Sequence, residues 1–262
     1  MRIALISDVH GNLPALEAVL AEIARAGADL TVNLGDTVSG PLWPLETAQR
    51  LRPLALPTIA GNHERQLLTQ SRERMGASDA AAHDLLGPGE RGWLAALPPT
   101  LRIGDDIFCC HGTPGSDLDY LLETVTPDFG RDGSRGLRPA TTDEIAARLV
   151  VPAALVACGH THLPRVAQVG DTLIVNPGSV GLPAYDDAHP HLHHVEAGSP
   201  HARWALVERS AAGWRVALHA TVYDWHSAAA RAEQSGRGAW ADALRSGFVG
   251  RSEAGRGALQ DE

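Results

Sequence analysis

Histidine and aspartate residues recur in this sequence at short, regular intervals after apolar runs. His160 and His162 follow one such run, and Asp8 and His10 follow another with the same spacing. In an extended backbone, side chains two residues apart point to the same side, so each pair is expected to face one cavity. Imidazole is the commonest metal ligand among side chains. These pairs therefore indicate one metal site or two neighbouring sites.

Three further apolar runs end in residues of the same kinds. The eight polar residues at these five strand ends are Asp8, His10, Asp36, Asn62, His63, His111, His160 and His162. Carboxylate, imidazole and amide-oxygen ligands together suit Mn²⁺, Fe or Zn²⁺. Seven ligands from the protein are too many for one metal ion and about right for two. Two-metal hydrolases hold their metal ions ~3.5–4 Å apart. An imidazole offers one lone pair whereas a carboxylate has two oxygens, so an Asp is expected to bridge the metals.

The elements that carry these residues alternate between strands and helices. After the first buried strand, apolar residues from Leu13 to Ile23 recur with helical spacing, Asn12 is placed to cap the helix, and Gly27 follows its end. Repetition of this unit predicts an α/β fold, with parallel strands whose carboxyl ends carry the functional groups. Further along, Leu118 to Val125 is predicted as a short helix and Thr221 to Gln234 as a longer one.

The totals limit the class of protein. With 262 residues and 44% hydrophobic residues, the chain is long enough for one large α/β domain, predicted over residues 1–235. The Gly/Arg/Ser composition of residues 236–262 predicts a loosely ordered tail. The net charge of −9 disfavours nucleic acid as a partner, although a local arginine patch would still permit a nuclease. There is no signal peptide and no run of ~20 apolar residues, so a cytoplasmic protein without a membrane partner is expected.

In order and type, the motifs resemble those of the calcineurin-like metallophosphoesterases. The family pattern D-x-H, G-D, G-N-H-[DE], H and G-H-x-H occurs here as Asp8-Val9-His10, Gly35-Asp36, Gly61-Asn62-His63-Glu64, His111 and Gly159-His160-Thr161-His162. The match extends from residue 1 to about residue 220. It implies a four-layer αββα sandwich, in which two mixed β-sheets are flanked by helices and the metal site lies at the carboxyl ends of strands.

The resemblance also implies roles for individual residues. It implies two divalent transition-metal ions (Mn, Fe, Zn or Ni, with Mn favoured), bound by Asp8, His10 and His162 at the first site, by Asn62, His111 and His160 at the second, and by Asp36 at both. His63 would be catalytic and assist the leaving group, while a metal-bridging hydroxide attacks phosphorus in line. The implied substrate is a small phosphodiester or phosphomonoester. A catalytically silent interaction scaffold is the alternative, and assembly into a homo-oligomer stays open.

The subclass is narrower than the family. The G-D-x-x-D-R-G motif of the protein phosphatases is absent, and with it an arginine on the phosphate. The sequence instead resembles the small bacterial and archaeal phosphodiesterases, although Pro183-Ala184 stands where those proteins often have Pro-Arg. Glu64 is expected to cap a helix. Several other features have both a functional and a structural interpretation: Trp43, the arginine-bearing loop 130–138 (Arg131, Arg135 and Arg138) and the histidine-rich loop 189–201.

Overall fold

Residues 1–250, which the computed structural model describes, contain thirteen β-strands and eight α-helices. The strands are β1 (Arg2–Ile6), β2 (Leu30–Asn33), β3 (Thr100–Ile103), β4 (Ile107–Cys110), β5 (Glu123–Val125), β6 (Leu137–Pro139), β7 (Leu155–Ala157), β8 (Arg165–Val169), β9 (Thr172–Asn176), β10 (Ala184–Asp187), β11 (His193–Glu196), β12 (Ala202–Ser210) and β13 (Gly213–Thr221). The helices are α1 (Leu13–Ala26), α2 (Pro44–Leu51), α3 (Asn62–Thr69), α4 (Ala77–Leu85), α5 (Pro88–Ala95), α6 (Thr142–Arg148), α7 (Trp225–Gln234) and α8 (Gly238–Ser246).

Most of the strands form two larger sheets of mixed direction. The first has the order β13-β12-β1-β2, with β1 parallel to β2 and antiparallel to β12. The second has the order β3-β4-β7-β9-β8, and its three central strands run parallel. The carboxyl ends of β1, β2, β4 and β7 therefore lead directly into the loops that carry most of the predicted metal ligands.

Buried apolar clusters fill the interface between the two sheets and the interfaces between each sheet and its helices. Ile3 of β1 packs between the sheets with Ile107 of β4, because alternate residues of a strand point to opposite faces. Its neighbour Ala4 packs on the outer face with α1, α7 and α8. On the outer face of the second sheet, Val156 packs with Ile145 of α6. The layers follow the order helix, sheet, sheet, helix, which confirms the predicted α/β sandwich.

Helix α1 shows how local sequence directs the chain from a strand end back over the sheet. The side chain of Asn12 accepts a hydrogen bond from the backbone of Ala15, and Gly27 ends the helix in a left-handed conformation with φ of 66°. Leu16 and Val19 are fully buried, and complete burial of an aliphatic side chain contributes about 1.5–3 kcal/mol. The predicted capping residue and apolar face are both confirmed.

Residues 118–125 do not form the predicted helix. Their last three residues are β5, which pairs with β6. Nη1 of Arg148 donates hydrogen bonds to the carbonyl oxygens of residues 120, 121 and 123 at 3.1, 3.4 and 2.7 Å. Leu121 and Leu122 are both buried in the cluster beneath α6. Backbone groups that a helix would have paired internally are thus satisfied by an arginine from a distant helix.

The prediction of a loosely ordered tail from residue 236 is wrong for its first part, because residues 238–246 form α8. Ala241 and Leu244 are buried against α7 and the first sheet, and Ala243 packs near β10. The fold therefore extends past the predicted boundary at residue 235. The alanine-rich face of α8 packs closely but provides only a weak apolar signal in the sequence. Residues 251–262 lie outside the described residues, so the prediction for them stays a prediction.

Two smaller differences concern the end of the chain. The histidine-rich segment 189–201, predicted as a loop, includes strand β11, which forms a hairpin with β10. Helix α7 begins at Trp225 rather than at Thr221, because Thr221 is the last residue of β13 and Asp224 caps the helix. Within residues 1–250, no helix has the length and apolar character that a bilayer span requires.

Candidate metal centre

Two groups of potential metal ligands lie side by side where the strands end. Each group offers three ligand atoms within 4.8 Å of one another. The first group consists of Asp8, His10 and His162, and the second of Asp36, His111 and His160. Asn62 adjoins the second group, because its Oδ1 lies 3.1 Å from Nε2 of His111. The fold thus brings together all seven residues that the sequence predicts as metal ligands.

Backbone carbonyl oxygens orient the four imidazole rings. Nδ1 of His10, His111 and His162 lies 2.8, 2.8 and 2.6 Å from a carbonyl oxygen, respectively. His160 uses Nε2 instead, at 3.0 Å from the carbonyl oxygen of Leu118. Because a carbonyl only accepts, each of these nitrogens carries a proton and donates it. The other nitrogen of each ring is left as a ligand atom, which is the usual arrangement of metal-binding histidines.

The atoms of the first group are spaced as ligands of one cation. Nε2 of His10 lies 3.1 Å from Nε2 of His162, which lies 3.3 Å from Oδ1 of Asp8. Two lone pairs at this distance repel each other unless a cation or a shared proton lies between them. Oδ1 of Asp8 is buried without a hydrogen-bond partner in residues 1–250. Ligand atoms about 2.1 Å from one cation lie about 3.0–3.4 Å apart, so these donors fit a divalent metal.

The second group is joined to the first through His111. Its Nε2 lies 3.0 Å from Oδ2 of Asp36 and 3.9 Å from Oδ1 of Asp8. Both carboxylates therefore lie within reach of the region between the groups. This closeness makes two neighbouring cations compatible with the side chains as they stand.

The backbone at these ligands is strained. The φ angles of Asp8, His10, Asp36, His160 and His162 are 55°, 50°, 52°, 68° and 56°, in a region that non-glycine residues adopt rarely. The assumption that residues two apart share one side of an extended backbone is therefore wrong for both pairs. His160 and His162 still face the same site, but they belong to different groups because the chain turns between them.

Glu64 holds the loop of Asp36 against the start of α3. Its buried carboxylate accepts hydrogen bonds from the backbone N–H groups of Asp36, Thr37 and Gly61 at 2.9, 2.7 and 2.8 Å. This confirms its predicted capping role and adds a second one. A Cβ atom at Gly61 would overlap the carboxylate of Asp36, so only glycine fits there. The position of Asp36 is thus set by α3 as well as by its own loop.

The loop 176–181 braces two of the ligand-bearing loops. Nδ2 of Asn176 donates to the carbonyl oxygen of Gly159 at 2.7 Å, and Oγ of Ser179 donates to that of Asp8 at 2.7 Å. The backbone N–H of Gly181 also donates to the Asp8 carbonyl, at 3.0 Å. These bonds tie β9 to the ends of β1 and β7, so this loop positions ligands from both sheets.

His63 lies beside the two groups, and its side chain is 28% exposed. Its Nδ1 lies 2.7 Å from Oδ1 of Asp79, a buried residue in the first turn of α4. Because Asp79 accepts the proton on Nδ1, Nε2 is the nitrogen left to face a bound molecule. Sequence reasoning missed Asp79, which is 16 residues away from His63. The available signal was an acidic residue beside alanines on the buried face of α4.

The protonation states of the site follow from burial and from neighbouring charges. Burial, then repulsion from His162, lowers the pKa of His10 to about 4. Burial, then repulsion from His111, lowers the pKa of His160 to about 3. Burial would also lower the pKa of His111, but Asp36 outweighs it and raises that pKa to about 10. At neutral pH His10 and His160 are therefore ready to bind a cation, whereas His111 must first release a proton.

The match to a protein family identifies the fold. The model of the calcineurin-like phosphoesterase superfamily domain matches residues 1–198, a span that contains both ligand groups and His63. The chain belongs to the calcineurin-like phosphoesterase superfamily. This confirms the family that the sequence motifs predicted. The predicted enzyme class, a metal-dependent phosphoric ester hydrolase, is confirmed with it.

Several members of this superfamily are similar to the chain. Phosphodiesterase YfcE of Escherichia coli is 28% identical over 193 residues, which are 70% of this chain and 81% of that protein. Uncharacterized protein MJ0912 of Methanocaldococcus jannaschii is 27% identical over 206 residues, which are 69% of this chain and 76% of that protein. The crystal structure of a metallophosphoesterase from Sphaerobacter thermophilus shares 26% identity, with a TM-score of 0.69 over 94% of this chain and 99% of that chain. The chain thus groups with the bacterial and archaeal phosphoesterases.

Both ligand groups open into a cavity of about 1130 Å³. Trp43 and the arginine-bearing loop 130–138, two candidates for substrate contact, lie elsewhere. Trp43 packs against the helices on the first sheet. Arg135 and Arg138 pair with carboxylates at 3.3 and 2.7 Å, and neither they nor Arg131 line the cavity. The structural interpretation therefore holds for Trp43 and for this loop.

The histidines of residues 189–201 do not form a further metal site in the described part of the chain, since no group of three ligands there includes them. His193 is buried, and its Nε2 lies 3.0 Å from the hydroxyl of Tyr120. His189 lines the cavity. Ala184 lines it as well, at the place where the small phosphodiesterases often have arginine.

Proposed function

We propose that this protein hydrolyses phosphodiester bonds of small molecules, with phosphomonoesters as secondary substrates. The observation that carries this proposal is the placement of two adjoining ligand groups beside a histidine whose Nδ1 is already bound. Asp8, His10 and His162 would hold one divalent cation and Asn62, His111 and His160 the other, with Asp36 between them. The mixture of oxygen and nitrogen donors suits Mn, Fe, Zn or Ni, and we favour Mn.

When bound, the two cations lower the pKa of water and neutralise charge on the phosphoryl oxygens. The protein's own contribution begins with the geometry of the ligands. The carbonyl oxygens that hold the imidazole rings, and the three N–H groups that hold Glu64, keep the donors in place. Little reorganisation is then needed when a phosphate group arrives.

His63 would supply the proton that the leaving oxygen requires. Burial alone would lower its pKa, but Asp36 and the hydrogen bond to Asp79 outweigh burial and raise the pKa to about 9. The carboxylate of Asp79 therefore favours the protonated form of the ring. With Nδ1 held by Asp79 at 2.7 Å, the proton on Nε2 faces the cavity. An acid so placed matters most for alcohol leaving groups, which leave poorly as alkoxides.

Two observations support the preference for diesters. The cavity of about 1130 Å³ is far larger than inorganic phosphate needs, so there is room for groups on both sides of the phosphorus. The similar protein YfcE is named a phosphodiesterase.

The test combines metal content with turnover. The purified protein is loaded with Mn²⁺, Ni²⁺ or Zn²⁺, its metals are counted by elemental analysis, and hydrolysis of bis(p-nitrophenyl) phosphate is compared with that of p-nitrophenyl phosphate. We expect two metals per chain and a higher kcat/KM for the diester. A faster monoester reaction would overturn the diester assignment. Bound metals without turnover of either ester would support the interaction scaffold instead.

A further inference from the structure

Helix α8 forms one wall of the cavity next to the first ligand group. Arg237, which directly precedes the helix, and Trp240 of its first turn line the cavity. The ring of Trp240 lies 5.9 Å from that of His10. A Cβ atom at Gly40 would press against the indole ring, so the glycine lets the helix approach the site closely. The start of α8 is thereby anchored beside the ligands.

Arg237 is a half-buried cation without a carboxylate partner among residues 1–250. Burial lowers its pKa, and no neighbouring carboxylate opposes this effect. Its one side-chain hydrogen bond in that range runs from Nη2 to Oγ of Ser78 at 3.3 Å. A guanidinium group has five N–H donors, so most of them are free to bind a molecule in the cavity.

Other arginines nearby are already engaged. Arg148 also lines the cavity, but it donates to three backbone carbonyl oxygens and to the hydroxyl of Thr124. Arg245 lies on α8 itself and pairs with Glu233 at 2.9 Å. Arg237 therefore differs from its neighbours in having donors to spare at the cavity wall.

The position of Arg237 places it on the side of His63. Ser78, its hydrogen-bond partner, directly precedes Asp79, which holds the His63 ring. The carbonyl oxygen of Ser78 also accepts a hydrogen bond from the backbone of Gly40 at 3.2 Å, next to the Ser39 hydroxyl that lies 3.1 Å from His63 Nδ1. A group bound by Arg237 would therefore belong to the part of the substrate that departs.

We propose that Arg237 binds a phosphate carried by the leaving group, so that the preferred substrates are phosphodiesters whose leaving alcohol bears a second phosphate. This inference rests on the proposed function. The planar fork of arginine matches phosphate oxygens and pairs with them through charge-assisted hydrogen bonds. The large cavity has room for such a molecule. The G-D loop lacks the arginine of the protein phosphatases, and Arg237, directly before α8, provides one from a different direction.

The experiment compares two dinucleotides that differ only in their two terminal phosphate groups. One is thymidylyl-3′,5′-thymidine, whose leaving nucleoside is neutral. The other carries a phosphate on both outer hydroxyls, so that the leaving group is charged whichever bond breaks. The measured quantity is the ratio of kcat/KM for the charged to the neutral dinucleotide, in the wild type, Arg237→Ala, Arg237→Lys and the control Arg245→Ala, all loaded with Mn²⁺.

We expect the wild type to prefer the charged dinucleotide by about 10- to 100-fold. Arg237→Ala should lose this preference, Arg237→Lys should keep part of it, and Arg245→Ala should keep all of it. The lysine variant retains the charge, and it covers the case in which the alanine variant loosens α8.

Two results would overturn the proposal. One is a wild type that cleaves bis(p-nitrophenyl) phosphate but does not prefer the charged dinucleotide. The other is an unchanged ratio in both Arg237 variants. A metal-loaded wild type that does not cleave bis(p-nitrophenyl) phosphate would instead contradict the proposed function itself, so the two failures can be told apart.

Discussion

The proposed metal ligands and the groups proposed to face the leaving group come from different parts of the molecule. Six of the seven ligands lie on loops that directly follow strands of the two sheets, and the seventh, Asn62, begins α3. His63, Asp79 and Arg237 belong to α3, α4 and the chain before α8. The family model matches residues 1–198, so α8 lies beyond the part shared at that level. Most of the proposed ligands thus follow strands inside the matched span, whereas Arg237, which we propose contacts the leaving group, lies beyond it.

The sharpest way to break this comparison is to change the residue on which both ligand groups depend. We expect Asp36→Asn to remove at least one metal per chain and to lower kcat/KM by about 10³- to 10⁵-fold, because the cations contribute several kcal/mol to catalysis. Elemental analysis and turnover of bis(p-nitrophenyl) phosphate measure both effects. Asp84→Asn, at an exposed ion pair, is the control. Full occupancy by two metals in Asp36→Asn would contradict a bridging role.

The helical side is tested by removing the proton donor while the ligands stay intact. We expect His63→Ala to lower kcat for thymidylyl-3′,5′-thymidine, whose leaving group is an alcohol, by about 10²- to 10⁴-fold, as for a lost general acid, with the metal content unchanged. The exposed His226→Ala is the matched control. A variant with the kcat of the wild type would refute the role of His63.

Asp79 should have a smaller effect, because it acts through His63. We expect Asp79→Asn to lower kcat by about 10- to 100-fold at neutral pH, since a poorly oriented acid loses part of its contribution. The hydrogen bond to Asp79 helps to raise the pKa of His63, and the protonated ring is the active form in the proposed mechanism. Loss of the carboxylate should therefore move the alkaline decline of kcat to lower pH. An unmoved pH profile would leave Asp79 with only a packing role.

The smallest effect is expected where a helix supports a ligand indirectly. Glu64→Gln weakens the hydrogen bonds that tie the Asp36 loop to α3, which should cost about 1–3 kcal/mol and lower Tm by about 2–4 °C per kcal/mol. We expect kcat/KM to fall less than in Asp79→Asn. Thermal unfolding is compared with Glu73→Gln, an exposed residue on the surface. Equal Tm values for Glu64→Gln and Glu73→Gln would show that the Asp36 loop does not depend on the hydrogen bonds of Glu64 for its stability.

The strand-end ligands could be found from the sequence because several local signals agree. An apolar run, a glycine and a metal-binding side chain recur in order, and the residues after Asp8 show helical spacing and a capping Asn12. The helical side lacked such signals. Asp79 meets His63, and Arg237 meets the cavity, only because helices distant in the sequence pack together. The buried face of α8 is formed mostly by alanines, which give only a weak apolar pattern in the sequence. The composition of residues 236–262 therefore favoured a loosely ordered tail.

The assumption of an extended backbone at the paired ligands was wrong, although the prediction that both side chains face one cavity was correct for His160 and His162. Extended backbone at His160 and His162 would turn both rings to one side of the chain, but the left-handed turns direct them into different ligand groups that face one cavity. Likewise, Leu118 to Val125 lacks a helix because Arg148 binds the carbonyl oxygens of that segment. Such backbone conformations depend on contacts that neither propensity nor spacing reveals.

The positive φ angles at five ligand positions imply a trade between durability and catalysis. Each of these residues costs about 1–3 kcal/mol relative to a relaxed conformation, and glycine would adopt the same turns without that penalty. A lineage evolved in the laboratory for heat resistance alone should therefore discard its ligands first, replacing His160 or Asp8 by glycine. The evolved protein would be more stable to heat, but it would lack residues of the proposed metal site.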